Sequence, residues 1–145
     1  MTGAGTTMLA LVYHGPEDLR PQRRPAPDIG PGEVLVKVEA AGICATDLRI
    51  LAGAHRKFVP GAARIPGHEV AGVIARIGRD VHGLDEGRSV FVAPNFGCGK
   101  CRHCARGGNN LCPESQALGI TVDGAFAEYV RVPAAAVEQG NVIPL

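Results

Sequence analysis

The sequence contains no tryptophan, and aromatic residues make up only 4% of its 145 residues. A hydrophobic core must therefore be built from valine, isoleucine, leucine and alanine. The net charge is only +1, so we expect neither nucleic acid nor an anionic membrane as a partner. No apolar run approaches the roughly 20 residues that a membrane-spanning helix needs. The length and composition predict one ordinary domain.

The sequence also lacks a recognisable secretory signal. The apolar stretch Met8–Tyr13 is too short for one, and no basic segment precedes it. We therefore expect a cytoplasmic protein, in which thiols stay reduced and clustered cysteines usually bind metal or act in catalysis. The first residues, Met1–Thr7, are predicted to form a disordered leader.

Glycine and proline are plentiful, with 20 and 11 residues, which favours turns and short strands over long helices. Strands are predicted at Met8–Tyr13, Glu33–Ala40, Val70–Gly78, Ser89–Ala93 and Gly124–Val132. A short helix is expected over Thr46–Leu51, capped by Thr46 or Asp47. The proline-rich stretch Arg20–Pro31 is predicted to be an extended surface connection outside any sheet. This order indicates a mainly β fold, an antiparallel barrel or sandwich.

Four of the five cysteines lie in one glycine-rich and charged stretch, residues 94–113. Cys98, Cys101, Cys104 and Cys112 have the spacing C-x2-C-x2-C-x7-C. Such a segment has few side chains that gain by leaving water, so it needs a cross-link to fold. Four thiolates suit a tetrahedral structural zinc ion.

Three other interpretations of these cysteines remain open. Disulfides fit poorly, because the cysteine count is odd and adjacent C-x2-C pairs close small loops. An iron–sulfur cluster would require a shorter last gap and a second set of cysteines. Four unpaired thiols would be liable to oxidation.

A second metal site could form from Cys44, His68 and Glu69, each of which follows a turn or a strand end. A thiolate, an imidazole and a carboxylate could converge on one open zinc site, which is how catalytic zinc is held. Taken alone this signal is weak, because a lone cysteine is most often a small buried hydrophobe and a histidine after glycine is commonly a turn residue.

Four segments resemble the medium-chain zinc alcohol and polyol dehydrogenases, which include alcohol, sorbitol and threonine dehydrogenases. They are AAGICATDLRILAG, PGHEVAGVIARIG, GCGKCRHCARGGNNLC and DGAFAEYVRVP, in the family's order. The resemblance implies the family's catalytic domain, a GroES-like irregular antiparallel β-barrel with short helices and a zinc-binding cysteine lobe. It also implies two zinc ions, one catalytic and one structural.

By this resemblance, Cys44 and His68 would be ligands of the catalytic zinc. Glu69 would be a third ligand or a carboxylate close to the metal. Thr46 would relay the alcohol proton, and Asp47 would orient the histidine ligand. Gly67 and Gly72 would allow a tight backbone near the metal.

Some positions depart from the family or carry weaker signals. Arg49 replaces a relay histidine of the alcohol dehydrogenases, and Ala45 replaces a common glycine. His55 lies on the family's substrate-side loop and could touch substrate, although a solvated loop histidine is the simpler interpretation. The other three histidines, His14, His82 and His103, are predicted to face solvent or satisfy turns.

The 145 residues contain no G-x-G-x-x-G dinucleotide fingerprint, so a Rossmann cofactor domain is not expected here. We expect the N-terminal part of a longer dehydrogenase, inactive by itself, whose full-length form oxidises a small alcohol or polyol with NAD or NADP. An apolar face that docks the cofactor domain is expected, and homo-oligomers are possible. The rival interpretations are a stand-alone zinc-binding interaction module and a co-chaperonin subunit, although the latter needs no metal.

Overall fold

The computed structural model describes residues 6–58, 60–61 and 63–145. Within these residues, nine strands and two α-helices follow one another as β1 (Thr7–Gly15), β2 (Asp18–Pro25), β3 (Val34–Gly42), α1 (Ala45–Leu51), β4 (Glu69–Ile77), β5 (Ser89–Val92), β6 (Asn95–Phe96), β7 (Gln116–Ala117), β8 (Tyr129–Val132), α2 (Ala134–Glu138) and β9 (Val142–Pro144). Two single-turn 3-10 helices lie between β6 and β7, at Cys104–Arg106 and Asn109–Leu111.

The main sheet has five strands in the order β8-β3-β4-β5-β9, and every neighbouring pair is antiparallel. Its inner face carries most of the core, in which aliphatic side chains dominate as predicted: Val34, Val36, Val70, Ile74, Val90, Val92, Val130 and Val132 are all at most 2% exposed. Burial of each such side chain stabilises the fold by about 1.5–3 kcal/mol. The prediction of a mainly β, antiparallel fold is therefore confirmed.

The proline-rich stretch Arg20–Pro31 was predicted to be an extended surface connection. This prediction is wrong for its first six residues, whereas residues 26–31 lie in no strand. Residues Asp18–Pro25 form β2, which pairs antiparallel with β1 and places Pro21 opposite Leu11. The Leu11 N–H donates to the Phe126 carbonyl (2.7 Å) instead of to β2. Pro21 thus occupies a position where no ladder hydrogen bond is formed, and the missing N–H of proline costs nothing there.

The predicted disordered leader, Met1–Thr7, does not include its last two residues. Thr7 belongs to β1, and the Thr6 carbonyl accepts a hydrogen bond from the Ala26 N–H (2.9 Å). The remainder of the predicted leader, residues 1–5, lies outside the described residues.

The strand predicted at Gly124–Val132 is regular only over its last four residues, which form β8. Residues 124–126 instead make hydrogen bonds to the segment just before β4, and Ala127 forms a single bridge to Ala10 of β1. The short strands β6, β7 and β9 and the helix α2 were not predicted, because they lack a periodic apolar pattern. In the part of the chain that the structure describes, no helix is long and apolar enough to cross a membrane.

Candidate functional site

Cys44 lies between β3 and α1 and caps the helix. Its Sγ accepts a hydrogen bond from the Thr46 N–H at 3.3 Å, and its own N–H donates to Asp47 Oδ2 at 3.0 Å. The predicted cap, Thr46 or Asp47, is therefore wrong by two or three positions. Asp47 occupies the third helical position, from which its carboxylate reaches back to the N-cap backbone.

His68 follows a turn that the chain can make only with glycine. Gly67 has φ 91°, and a Cβ at this position would collide with the ring of Phe126. Two hydrogen bonds join this turn to the loop before β8. The Phe126 N–H donates to the Pro66 carbonyl (3.0 Å), and the Ala125 N–H donates to the Gly67 carbonyl (2.9 Å). The tight backbone predicted at Gly67 is present, and it fixes the direction in which His68 leaves the turn.

Glu69 is the first residue of β4 and lies opposite Gly42 on β3. The Glu69 side chain is exposed and passes over Gly42, where a Cβ would collide with it. Gly72 was predicted to serve the metal site, but it lies within β4. A Cβ at Gly72 would meet the Lys37 carbonyl of β3, so this glycine permits close strand pairing at an irregular step in the register.

Three predicted ligands meet although they are up to 25 positions apart in the sequence. One ligand atom each of Cys44, His68 and Glu69 lies within 4.8 Å of the others. Cys44 Sγ and His68 Nε2 are 3.0 Å apart. A tetrahedral zinc ion holds a thiolate and an imidazole nitrogen about 3.6 Å apart. The donor set of sulfur, nitrogen and oxygen therefore fits a zinc ion after a shift of a few tenths of an ångström.

The second nitrogen of the His68 ring faces a carboxylate. His68 Nδ1 lies 3.6 Å from Asp47 Oδ1, and both side chains are at most 11% exposed. At this distance neither atom has a hydrogen-bond partner among the described residues. A metal ligand bonded through Nε2 keeps its proton on Nδ1, and Asp47 is the acceptor placed for that proton.

The remaining predicted residues of this site lie on α1. Thr46 is half-buried and is the second residue of the helix, two positions after the N-cap Cys44. Ala45 is exposed, and Arg49 projects as an exposed cation from the last turn. An arginine guanidinium stays protonated, so Arg49 cannot pass on a proton as a histidine would.

The four lobe cysteines also converge, with their sulfur atoms within 4.8 Å of one another. All are free thiols, and Sγ of Cys101 and Sγ of Cys104 are 3.6 Å apart. This separation excludes a disulfide between them and is close to the ~3.8 Å between two sulfurs on a tetrahedral zinc ion. The lobe therefore has the donor set and the spacing of a four-thiolate zinc site.

The electrostatics of the lobe favour a bound cation. The Cys104 backbone N–H lowers the pKa of the Cys101 thiol to about 6, so this thiol loses its proton more readily than an ordinary cysteine. Desolvation, together with the nearby thiols of Cys101 and Cys112, raises the pKa of Cys104 to about 11. Four thiolates in this space need a positive charge between them. His103 is outside this cluster, and its Nε2 accepts from Arg102 Nε (3.3 Å).

Two amide side chains anchor the lobe, and neither was predicted from the sequence. Gln139, just after α2, bonds to both backbone groups of Gly97. Asn141 donates to the carbonyls of Ala93 and Asn95, each at 2.7 Å. No local pattern marks these residues, because their partners lie more than 40 positions away in the sequence.

The other histidines differ in their surroundings. His55 is half-buried beside Phe58, with ring centroids 5.9 Å apart. His14 was predicted to face solvent or satisfy a turn, but it is half-buried in β1 and pairs through Nε2 with the Gln22 amide of β2 (2.9 Å). His82 is exposed in the turn-rich segment after β4, as predicted.

An apolar surface adjoins the cluster of Cys44, His68 and Glu69. Ile43, Leu48 and Leu51 are 75%, 62% and 36% exposed. They border an apolar cavity of about 320 Å³ that reaches Asp47. The predicted apolar face is thus present beside α1.

Comparison with known proteins connects these features to one family. The sequence model of one protein family, the alcohol dehydrogenase GroES-like domain, matches residues 30–142. This range contains both cysteine-bearing sites. The chain belongs to this family.

Several relatives of the chain are dehydrogenases. It is 46% identical over 114 residues to L-threonine 3-dehydrogenase of Streptomyces avermitilis, covering 77% of this chain and 33% of the relative. It is 41% identical over 127 residues to sorbitol dehydrogenase of Bacillus subtilis, covering 86% and 36%. A cobalt- and zinc-bound alcohol dehydrogenase from Pyrobaculum aerophilum has a similar structure, with TM-score 0.84, 34% identity and coverage of 96% and 41%.

The resemblance inferred from the sequence is therefore confirmed at the level of the family and the fold. The chain spans about a third to two fifths of the length of these relatives. It corresponds to the GroES-like part of these dehydrogenases.

Proposed function

We propose that this chain is the catalytic domain of an NAD(P)-dependent alcohol or polyol dehydrogenase, with one catalytic and one structural zinc ion. The observation that carries the proposal is the convergence of Cys44, His68 and Glu69 within 4.8 Å at the ends of β3 and β4. This cluster is separate from the four-cysteine lobe and includes an exposed side chain, Glu69. An open site of this kind suits catalysis, whereas a closed four-sulfur site suits structure.

A zinc ion bound here supplies a Lewis acid that lowers the pKa of a coordinated hydroxyl group. Cys44 and His68 hold the ion, and the hydrogen bond from the Thr46 N–H steadies the thiolate. Asp47 keeps the proton of His68 on Nδ1, which leaves Nε2 free as a ligand. Glu69 completes the donor set or accepts hydrogen bonds next to it.

The proton that leaves the alcohol requires an acceptor close to the metal site. Thr46 is half-buried and follows Cys44 by two positions, and its hydroxyl can accept one proton while donating another. We assign this relay to Thr46. Arg49 keeps its proton, so the relay in this chain does not continue through that position.

The lobe has a structural role in this proposal. Cys98, Cys101, Cys104 and Cys112 hold a zinc ion that replaces the hydrophobic core missing from residues 94–113. The strands β6 and β7 pair at the base of the lobe and close it.

The family supports a proposal for the reaction and the partners of the whole protein. We propose that its substrate is a small alcohol or polyol, that NAD or NADP accepts the hydride, and that a further part of the polypeptide binds this cofactor. The apolar surface at Ile43, Leu48 and Leu51 then packs against that part or a second subunit. The five free cysteines of the chain support a cytoplasmic location, where thiols stay reduced. The 145-residue chain alone should be inactive.

Metal content tests the proposal directly. The purified chain should contain two zinc ions by elemental analysis, and cobalt substitution should give absorption bands typical of thiolate ligands at both sites. Cys44→Ser should remove one ion, and Cys112→Ser should remove the other. The Ser115→Ala variant, with a change just outside the lobe, serves as the matched control and should keep both.

Zinc in the lobe alone, unchanged by Cys44→Ser, would contradict the catalytic assignment and favour a zinc-binding interaction module. A brown, iron-containing protein would contradict both zinc assignments.

A further inference from the structure

A loop rich in basic residues follows α1 and folds back along it. Phe58 anchors the end of this loop in a buried cluster with Tyr13 and Ile50, where the rings of Tyr13 and Phe58 meet edge to face at 5.2 Å. The start of the loop is fixed by a hydrogen bond from the Ala54 N–H to the Arg49 carbonyl (2.9 Å). The backbone between these two points is therefore held beside the helix.

Three cations on the helix and this loop are exposed: Arg49, Arg56 and Lys57. None takes part in an ion pair between described residues. The neighbouring Arg64, by contrast, is engaged, since its guanidinium donates to the Lys57 carbonyl (3.2 Å) and lies over the Phe58 ring. In a chain with a net charge of +1, three unpaired cations close together form a distinct positive surface.

This positive surface is linked to the cluster of Cys44, His68 and Glu69 through α1 and through His55. Arg49 is five residues after Cys44, which places it about 7 Å further along the axis of α1. His55 accepts a hydrogen bond from the Lys57 N–H (3.4 Å). Burial lowers the pKa of His55, and so do Lys57, Arg56, Arg49 and His68. His55 is thus within electrostatic reach of both the three cations and the candidate ligand His68.

The carboxylates of the metal site do not neutralise these cations. Asp47 is 7% exposed and faces Cys44 and His68. Glu69 belongs to the cluster of candidate ligands. The three cations thus remain available to an anion that approaches the metal from solvent.

We propose that Arg49, Arg56 and Lys57 bind a phosphate or carboxylate group of the substrate while its hydroxyl group occupies the metal site. The substrate class is then an anionic polyol, either a polyol phosphate or a sugar acid. The inference rests on the proposed function. Arginine and lysine suit this task, because a guanidinium group binds such anions through two parallel hydrogen bonds and an ammonium group adds a point charge.

The test uses the cobalt-loaded chain and three probes: sorbitol, sorbitol 6-phosphate and ADP-ribose. Binding is followed at low salt through the backbone amide NMR shifts of residues 49–58. Sorbitol 6-phosphate should bind roughly tenfold or more tightly than sorbitol, because its phosphate makes charge-assisted hydrogen bonds. Dilute salt screens these interactions only weakly. The triple variant Arg49→Gln, Arg56→Gln, Lys57→Gln should lose this preference.

A matched control removes the same charge from exposed positions elsewhere, with Arg23→Gln, Arg79→Gln and Arg88→Gln. This control should keep the preference for the phosphate. Equal binding of sorbitol and its phosphate, or an equal loss in both triple variants, would overturn the inference. Tighter binding of ADP-ribose than of sorbitol 6-phosphate at these residues would assign the cations to a dinucleotide and overturn it as well.

The cobalt absorption of the Cys44 site separates the two proposals. If that absorption develops in the unmodified chain but the chain shows no preference for the phosphate, the anion inference fails and the proposed function stands. If the absorption never develops but the phosphate preference depends on the three cations, the proposed function fails and the anion site is supported.

Discussion

The side-chain amide of Gln139 pairs with both backbone polar groups of Gly97. The Gly97 N–H donates to Gln139 Oε1 at 3.0 Å, and Gln139 Nε2 donates to the Gly97 carbonyl at 2.9 Å. Gly97 is buried and directly precedes Cys98. One side chain after α2 therefore positions the first ligand of the cysteine lobe, 41 residues away in the sequence.

Replacing Gln139 by alanine should loosen the lobe. The change leaves two buried backbone groups of Gly97 without partners, so the free energy of unfolding should fall by about 1–3 kcal/mol. Zinc should also transfer faster from the lobe to a chelator. Urea denaturation and a colorimetric chelator assay measure the two effects. Glu138→Ala, an exposed neighbour, is the control, and equal zinc release from both variants would contradict the anchoring role.

Asp47→Asn should weaken metal binding at the Cys44 site. The carboxylate accepts a hydrogen bond from the Cys44 N–H and faces His68 Nδ1. Its loss therefore disturbs two candidate ligands. Loss of such a partner typically lowers metal affinity by about 10- to 100-fold. Cobalt titration measures the affinity, and the lobe should bind as before. The exposed substitution Asp85→Asn should change neither site, and unaltered cobalt affinity in Asp47→Asn would refute the assignment.

Cys112→Ser should unfold the lobe as well as remove its zinc. Structural zinc sites contribute about 10–16 kcal/mol of apparent binding free energy in small domains, and the lobe has few apolar contacts to replace it. Limited proteolysis should then cut within residues 94–113, whereas Cys44→Ser should leave this stretch resistant. Protection of the stretch in Cys112→Ser would show that the lobe folds without its metal.

His55 should titrate below its ordinary pKa of 6.5, because burial and then the charges of Lys57, Arg56, Arg49 and His68 disfavour its protonated form. The folded state thus prefers neutral His55. Its contribution to stability is complete above pH 6.5 and declines as the pH falls through the lowered pKa. NMR titration of the His55 ring measures this pKa.

The double variant Arg56→Gln, Lys57→Gln should raise the pKa of His55, since two positive charges are removed beside the ring. The control pair Arg23→Gln, Arg88→Gln should leave it unchanged. The same pKa in all three proteins would mean that the basic loop does not act on His55.

The sequence by itself determined the elements that depend on local pattern. The alternation in β3 and β4 marked both strands, because successive side chains of a strand point to opposite faces. The spacing of the four lobe cysteines predicted one metal site, since ligands so close together need only a short loop to meet. The family resemblance supplied Cys44 and His68 as a pair before any distance was known.

The tertiary structure alone decided which distant groups meet. The pairing of Pro21 with Leu11 depends on the hydrogen bond that Leu11 makes to another part of the chain. The attachment of Gln139 to Gly97 likewise depends on how α2 packs beneath the lobe. Such contacts arise when the core closes, and no local periodicity records them. The unpaired cations of α1 and the following loop belong to this second group, because the packing of Phe58 against Tyr13 and Ile50 holds their loop beside the helix.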